Sequence, residues 1–412
     1  MTISRHLSSF TQIPNPLPAA FLRGGTSKGI FINRKHLPPT RSDWYSIFLR
    51  IMGSPDLEYG RQLNGMGGGV SSLSKIVVVD LPFSHEVPSG IDAVYTFAQV
   101  GIRDSEIDYS GNCGNLSSMV GAFAVDEGIC TPRINPPGIS GSSLGTVRMW
   151  NTNTNKEVHT TFPITPDLKP ALDLEQVSIA GVPGKATRIL LDFVDPGGAR
   201  TGKLLPTGNS VDHLIINHEG TGAQYTVSLV DATNPTVFVS SQDLFASPYL
   251  PSDDVYTRAG SRDLLDKIEC IRNAGADAMG LDPSAQAQPK IALLGLPSDS
   301  QYPPSLSDST PVDICTQALS MGVLHRAVPM TVGLCLGVAA TITGTVPHQI
   351  IKVARARNLS IMDSGRPQEG LVRIKHPSGV VDVGAELGQD GSIKSAKVVR
   401  TGRRLMQGAV WW

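Results

Sequence analysis

No run of apolar residues in this chain approaches the ~20 needed to cross a bilayer, which excludes a hydrophobic membrane helix. No charge of one sign dominates either: 35 Lys and Arg stand against 36 Asp and Glu, so no global field draws the protein to nucleic acid or to anionic lipid. Any attraction for an anion must be local. The five cysteines, Cys113, Cys130, Cys270, Cys315 and Cys335, are an odd number and include no CxxC pair. That argues against a disulfide framework or a structural zinc site and for a reducing compartment. No Asp, Glu or His cluster suggests a bound metal. The N-terminus, MTISRHLSSFTQIPNP, has no secretory apolar stretch, so the cytosol is the expected location.

What the chain has in quantity is glycine (42) and proline (30), with only 17% charged residues among 412. This composition describes many short strands joined by tight turns, in a mixed α/β protein of two or three compact units. Runs rich in β-branched residues and bounded by turn formers predict strands at Gly29–Asn33, Ile76–Leu81, Tyr95–Val100, Arg188–Phe193, Tyr225–Val230, Thr236–Val239, Lys290–Leu294 and Gly370–Ile374. Two almost uncharged, small-residue-rich segments, Leu116–Glu127 and Thr331–Ile342, read as helices. A helix apolar all round is buried, so each should run through the middle of its own core. They lie about 215 positions apart, close to half the chain, which predicts two pseudo-equivalent halves, 1–200 and 201–412, meeting near Val194–Asn209. The extreme C-terminal strand is expected to return to the first half.

Three glycine-rich motifs could carry chemistry. Arg23-Gly24-Gly25-Thr26-Ser27-Lys28-Gly29 combines exposed N–H groups with two cations, suited to a carboxylate or phosphate, but misses the P-loop spacing. A hairpin turn with solvated Lys and Arg is the plainer alternative. In Asn64-Gly65-Met66-Gly67-Gly68-Gly69-Val70-Ser71-Ser72-Leu73-Ser74-Lys75, glycines permit close approach to a ligand and serines supply donors. Lys75, at the start of an apolar strand, is either a solvent-facing strand-end lysine or a desolvated one with its pKa lowered toward that of a general base. In Gly111-Asn112-Cys113-Gly114-Asn115, the thiol stands at the N-terminus of the first buried helix, where the dipole and free N–H groups favour a thiolate and bind anions. An inert turn cysteine is the alternative there. His325-Arg326, ahead of the second helix, is a candidate anion site from the other half or an ordinary surface pair. Cys335, inside that helix, reads as core packing.

Together with VDATNPTVFVS, GGARTGKLLPTGN, HRAVPMTVGLCLGVAATITGTV and VVRTGRRLMQGAV, these strings span nearly the whole chain and closely resemble the PrpF family of methylaconitate and oxalomesaconate isomerases, within the diaminopimelate-epimerase-like superfamily. The resemblance implies two similar α/β halves, each a curved mixed sheet around one central helix, with the active site in the cleft between them. It implies further that Lys75 and Cys113 are the proton-transferring pair. The epimerase branch uses one cysteine from each half, but the second position here falls near Pro329 and Met330, which favours a lysine and a cysteine over two thiols.

The expected activity is then a proton and double-bond shift in a small unsaturated polycarboxylate such as aconitate or 2-methylaconitate. A 4-oxalomesaconate-type keto–enol tautomerase is the alternative, and a non-catalytic partner of an aconitase-like enzyme a further one. Ser71, Ser72, Asn112 and the Gly114 amide are expected to stabilise developing charge. Arg23, Lys28 and Arg326 are expected to hold the remaining carboxylates, with Asn64, Asn115 and His325 also lining the substrate. No cofactor, metal, nucleic acid or membrane is called for. A homodimer is the assembly left open.

Overall fold

The computed structural model describes residues 13–82, 87–135, 143–218, 221–252, 255, 261–285, 288–297, 311–320, 323–325, 327–357 and 370–412. These form two compact units. The first takes in the described residues up to Glu175, with Ala186–Ile189 and Thr401–Trp412; the second takes in Gln176–Lys185 and Leu190–Arg400. The last strand of the chain, Ile393–Val410, is thus divided, and its final part pairs antiparallel with the first strand of unit one, Leu17 opposite Val410 and Gly24 opposite Gly402.

Unit one begins with a hairpin of β1 (Leu17–Gly24) and β2 (Ser27–Asn33), followed by α1 (Trp44–Met52). Next come β3 (Lys75–Asp80), β4 (Ala93–Val100), α2 (Gly114–Asp126), β5 (Leu144–Asn151) and β6 (Lys156–Pro163). β2 and β3 are parallel, β3 and β4 antiparallel, β4 and β5 parallel, β5 and β6 antiparallel. The sheet is covered on both faces. On one, Ile30, Ile32, Ile76, Val78, Ala98 and Val100 pack against Trp44, Ile47, Phe48 and Ile51 of α1. On the other lies α2, against β1 to β6. Two-sided cover explains why β3 reads KIVVVD, an unbroken apolar run, instead of an alternating one.

Unit two repeats that order with unrelated residues. Its hairpin is β7 (Thr221–Ala232) and β8 (Asn234–Ser240), then α3 (Ser261–Ala278), β9 (Lys290–Gly295), β10 (Ile314–Ser320), α4 (Met330–Thr341), β11 (Leu371–His376) and β12 (Gly379–Leu387). The pairings run in the same sequence: β8 and β9 parallel, β9 and β10 antiparallel, β10 and β11 parallel, β11 and β12 antiparallel. Ile268 and Ile271 of α3 cover one face with Ile291, Leu293, Cys315 and Leu319, and α4 lies against β7, β8, β11 and β12.

Both central helices are buried along most of their length, from Leu116 to Val125 in α2 and from Val332 to Ala340 in α4. The eighth residue of each is glycine, and each permits close approach. A Cβ on Gly121 would stand 2.1 Å from Thr160 Oγ1; one on Gly337 would stand 2.8 Å from the Gly384 nitrogen. Among the described residues no single helix is long and apolar enough to cross a membrane.

Candidate active site

Strand alternation decides which side chains of unit one can meet. Ile76 and Val78 belong to the α1 face, so Lys75 points to the α2 face. By the same count Ala98 and Val100 face α1, and Phe97 and Gln99 face α2. In β2, Ile30 and Ile32 face α1 while Phe31 packs on Phe123 of α2, ring centroids 5.6 Å apart. Ser27 therefore belongs to the α2 face and Lys28 to the α1 face.

Cys113 is the N-cap residue of α2, in extended conformation, and half-buried. Its carbonyl accepts from the Ser117 amide at 2.9 Å and its Sγ lies 3.9 Å from Ser27 Oγ. A polar network sits beneath the cap. Ser117 Oγ is 3.1 Å from Asn112 Oδ1 and 2.9 Å from the buried Tyr95 hydroxyl, and Asn151 Nδ2 reaches Asn112 Oδ1 at 3.5 Å. Burial pushes the Tyr95 phenol far up, so it acts as a hydrogen-bonding group and not as an acid. These bonds fix the turn that presents the thiol at the positive end of the helix.

Lys75 is only 7% exposed. Its Nζ donates to Gln99 Oε1 and stands over the Phe97 ring, 5.0 Å from the centroid. Burial pulls its pKa below the usual lysine range, and Cys113 raises it in part. The two groups are thus electrostatic neighbours. Of the two alternatives for Lys75, the desolvated one is what the fold produces. Among the described residues no carboxylate pairs with it, so the amine is not locked in its charged form.

The Gly65–Gly69 loop is held by a side chain absent from the sequence expectation. Gln62, fully buried with φ of 55°, accepts from the Gly69 amide at 3.0 Å and from Ser74 Oγ at 2.6 Å, and donates to Ser54 Oγ at 2.8 Å. Ser71 Oγ donates to Gln99 Oε1 at 3.1 Å, so this serine serves the lysine's partner. Ser72 is half-buried in the same turn. Gly114 opens α2, and Asn115 Nδ2 donates to Thr26 Oγ1 at 3.0 Å, docking the hairpin turn on the helix. The fit is close: a Cβ on Gly25, where φ is +52°, would lie 2.3 Å from Asn115 Oδ1.

Three expected site residues of unit one fall elsewhere. Arg23 and Lys28 are cross-strand partners on the α1 face, turned away from Cys113 by the one-residue alternation that brings Ser27 toward it. Arg23 Nη1 donates to the Gly25 and Thr401 carbonyls and to Thr401 Oγ1, tying the hairpin corner to the last strand, and Lys28 Nζ lies over the Phe21 ring. The expectation that these two cations hold carboxylates beside the Lys75–Cys113 pair is therefore corrected. Asn64 is exposed in the wall of a separate cavity of about 670 Å³, lined also by Arg50, Asp56, Tyr59, Trp411 and Trp412. His325 belongs to unit two, where its Nδ1 takes the Ala327 amide at 3.1 Å. Arg326 lies outside the described residues.

Three of the other four thiols behave as packing groups. Burial pushes Cys130, Cys315 and Cys335 up to about 12, and Cys335 Sγ lies 3.4 Å from the Val230 carbonyl inside its core. Among the described residues no three His, Cys, Asp or Glu side chains are placed to hold a metal ion.

The chain matches the family described as PrpF protein over residues 15–412. It is 35% identical to a 3-methylitaconate isomerase of Eubacterium barkeri, across 96% of this chain and 97% of that one. It is 34% identical to a 2-methyl-aconitate isomerase of Shewanella oneidensis, across 95% and 96%. The crystal structure of a methylitaconate-delta-isomerase superposes with a TM-score of 0.78 at 33% identity, covering 97% of this chain and 96% of that one. The protein is an isomerase, and it belongs to the PrpF family.

Proposed function

We propose that the protein moves a proton, and with it a double bond, along a small unsaturated polycarboxylate of the aconitate or 2-methylaconitate type, using Lys75 and Cys113 and no cofactor. The observation that carries this reading is a buried lysine with a neutral hydrogen-bond partner, electrostatically coupled to a thiol at a helix N-terminus.

One group of the pair takes a proton from the carbon next to the C=C bond. The electron pair left behind spreads through the double bond onto a carboxylate, as in a dienolate. The other group returns a proton to the far end of the allylic system, and the double bond has shifted with no net gain or loss of atoms. Such a step needs an acid, a base and donors for the anion. The N–H groups of the first turn of α2, beginning at Gly114, supply donors of that kind, with the hydroxyls of Thr26 and Ser27 beside them. The relatives named for methylitaconate and 2-methyl-aconitate support a substrate of this class.

The test is proton NMR of purified enzyme in D2O with cis-aconitate, trans-aconitate and 2-methylaconitate as separate substrates. Deuterium at the allylic carbons with a changing isomer ratio is the expected result. No uptake into any of them, with enol–keto conversion of an oxalo-acid instead, would replace this reading with the tautomerase. Activity lost on dialysis against EDTA and restored by a divalent metal would overturn the cofactor-free mechanism.

A further inference from the structure

Lys75 and Gln99 are directly opposite one another in the antiparallel β3–β4 pair. Side chains at such positions lie on the same face within reach of each other. The amide of Gln99 is not free to turn over. Its Nε2 donates to the Ser74 carbonyl at 3.0 Å and to the Ser71 carbonyl at 3.3 Å, while its Oε1 accepts from Ser71 Oγ at 3.1 Å. Carbonyls cannot donate, so the Nε2 end must face them and the oxygen must face Lys75 Nζ. Beneath the same amine lies the Phe97 ring.

From this geometry, and resting on the role given to Lys75 above, we infer that Gln99 is a positioning residue for proton transfer: its fixed amide oxygen holds the Lys75 amine in place without a negative charge that would pin its proton. A neutral acceptor can bond both –NH3+ and –NH2, because either form has a hydrogen to give, and it favours the charged form only modestly. A carboxylate at position 99 would favour the charged form alone, and an apolar side chain would leave the head group unanchored. Among the described residues, Cys113 at the start of α2 is the titratable group acting on Lys75; on the same face of β4 stand Gln99, Phe97 and, farther along, Tyr95, whose phenol burial keeps neutral, and the parallel neighbour β2 offers the backbone of Gly29.

The inference is tested with Gln99→Glu, which keeps shape and adds charge, and Gln99→Met, which keeps length and removes the acceptor. In [13C]lysine-labelled protein, with Lys75 assigned by its absence in Lys75→Arg, the Cε shift is titrated in each variant. An opposite charge in contact moves a midpoint by about one to three units. The Lys75 midpoint should therefore rise by at least one unit in Gln99→Glu and fall in Gln99→Met. The limb of the kcat/KM pH profile that belongs to Lys75 should move with it while KM changes little. If it is the acid limb, Lys75 is the base; if the alkaline limb, Lys75 is the acid. Midpoints that stay put, or move the same way in both variants, would overturn the inference, as would a loss confined to KM. The titration needs no turnover: opposite shifts without isomerase activity would leave Gln99 in its role and reject the proposed function, whereas turnover with unmoved midpoints would do the reverse.

Discussion

The start of α2 and the start of α4 occupy the same place in two units of the same topology, yet only one of them carries a thiol. α2 is capped by Cys113 between two Gly-Asn corners; α4 is capped by Pro329, with Met330 as its first residue. Each unit also opens its third main strand on a lysine. Gly29 precedes the Ile30–Ile76 pair as Thr236 precedes Val237–Ile291, so Lys75 and Lys290 correspond. Their surroundings do not. Lys75 is coupled to a thiol, whereas Lys290 is half-buried and lowered by burial and then by the Arg272 guanidinium. The repeat keeps the packing, through the buried helix and its glycine, while the pairing of a buried lysine with a helix-capping thiol belongs to unit one.

The sharpest way to break that comparison is to mutate both sides of it. Cys113→Ala and Lys75→Ala should each cost about 100- to 10,000-fold in kcat, the usual contribution of one acid or base. Lys290→Ala and Pro329→Ala should stay within a few-fold. Steady-state kinetics on whichever polycarboxylate is turned over, with melting curves to exclude unfolding, decides it. Equal losses at Lys75 and Lys290 would mean that both units take part in catalysis.

Next in size is thiol reactivity. A thiol near 12 carries about a thousandth of the thiolate of an ordinary cysteine at neutral pH, which covers Cys130, Cys315 and Cys335. Iodoacetamide followed by peptide mass spectrometry should therefore label Cys113 first, and trans-aconitate should slow it. Earlier labelling of Cys270, which is also half-buried, would contradict the role given to the helix N-terminus.

Part of the fold was legible, where an element prints a local signature; α1, α3 and the β5–β6 pair went unmarked. Almost uncharged, small-residue-rich segments marked both buried helices, which begin within two residues of the expected starts, and β-branched runs between turn formers marked eight of the strands. Lys75 and Cys113 were visible as single residues at a strand start and a helix start. Their partners were not. Gln99 becomes a neighbour of Lys75 only through the β3–β4 register, and Ser27 and Lys28 trade faces with a one-residue slip. The RGGTSKG motif drew attention through its cations, but the fold brings its hydroxyl to the thiol.

A third contrast concerns buried bases. Unit one buries Lys75; unit two buries His376, pulled down to about 4 by burial and then by Arg400 and His325. Below about 6.5 the unfolded chain binds the proton that the folded imidazole refuses until about pH 4, so stability is full above 6.5 and is lost as pH falls through that window. The loss reaches about 2 to 3 kcal/mol by linkage. Urea midpoints at pH 7 and 4.5 should differ by less in His376→Gln than in the parent. An unchanged difference would show that other groups govern acid unfolding of this unit.

The smallest effects test the packing that the two units share. Gly121 and Gly337 are the close-approach glycines of α2 and α4, whereas a Cβ on Gly333 would find its nearest neighbour, Val328, at 3.7 Å. Gly121→Ala and Gly337→Ala should therefore each destabilise by about 1 to 3 kcal/mol, because the helix must back away from its strands. Gly333→Ala should stabilise by up to about 1 kcal/mol, since alanine is the better helix former and its Cβ would meet only ordinary contacts with Val328 and Val383. Chemical denaturation of the three variants measures all of this on one scale. Since Gly121 contacts Thr160 and Val147, and neither Lys75 nor Cys113, Gly121→Ala should lower stability with kcat preserved in the folded fraction. A large drop in kcat with a small change in stability would mean that the helix carries Cys113 out of register with Lys75, and that the spacing between α2 and the sheet is set for catalysis as well as for packing.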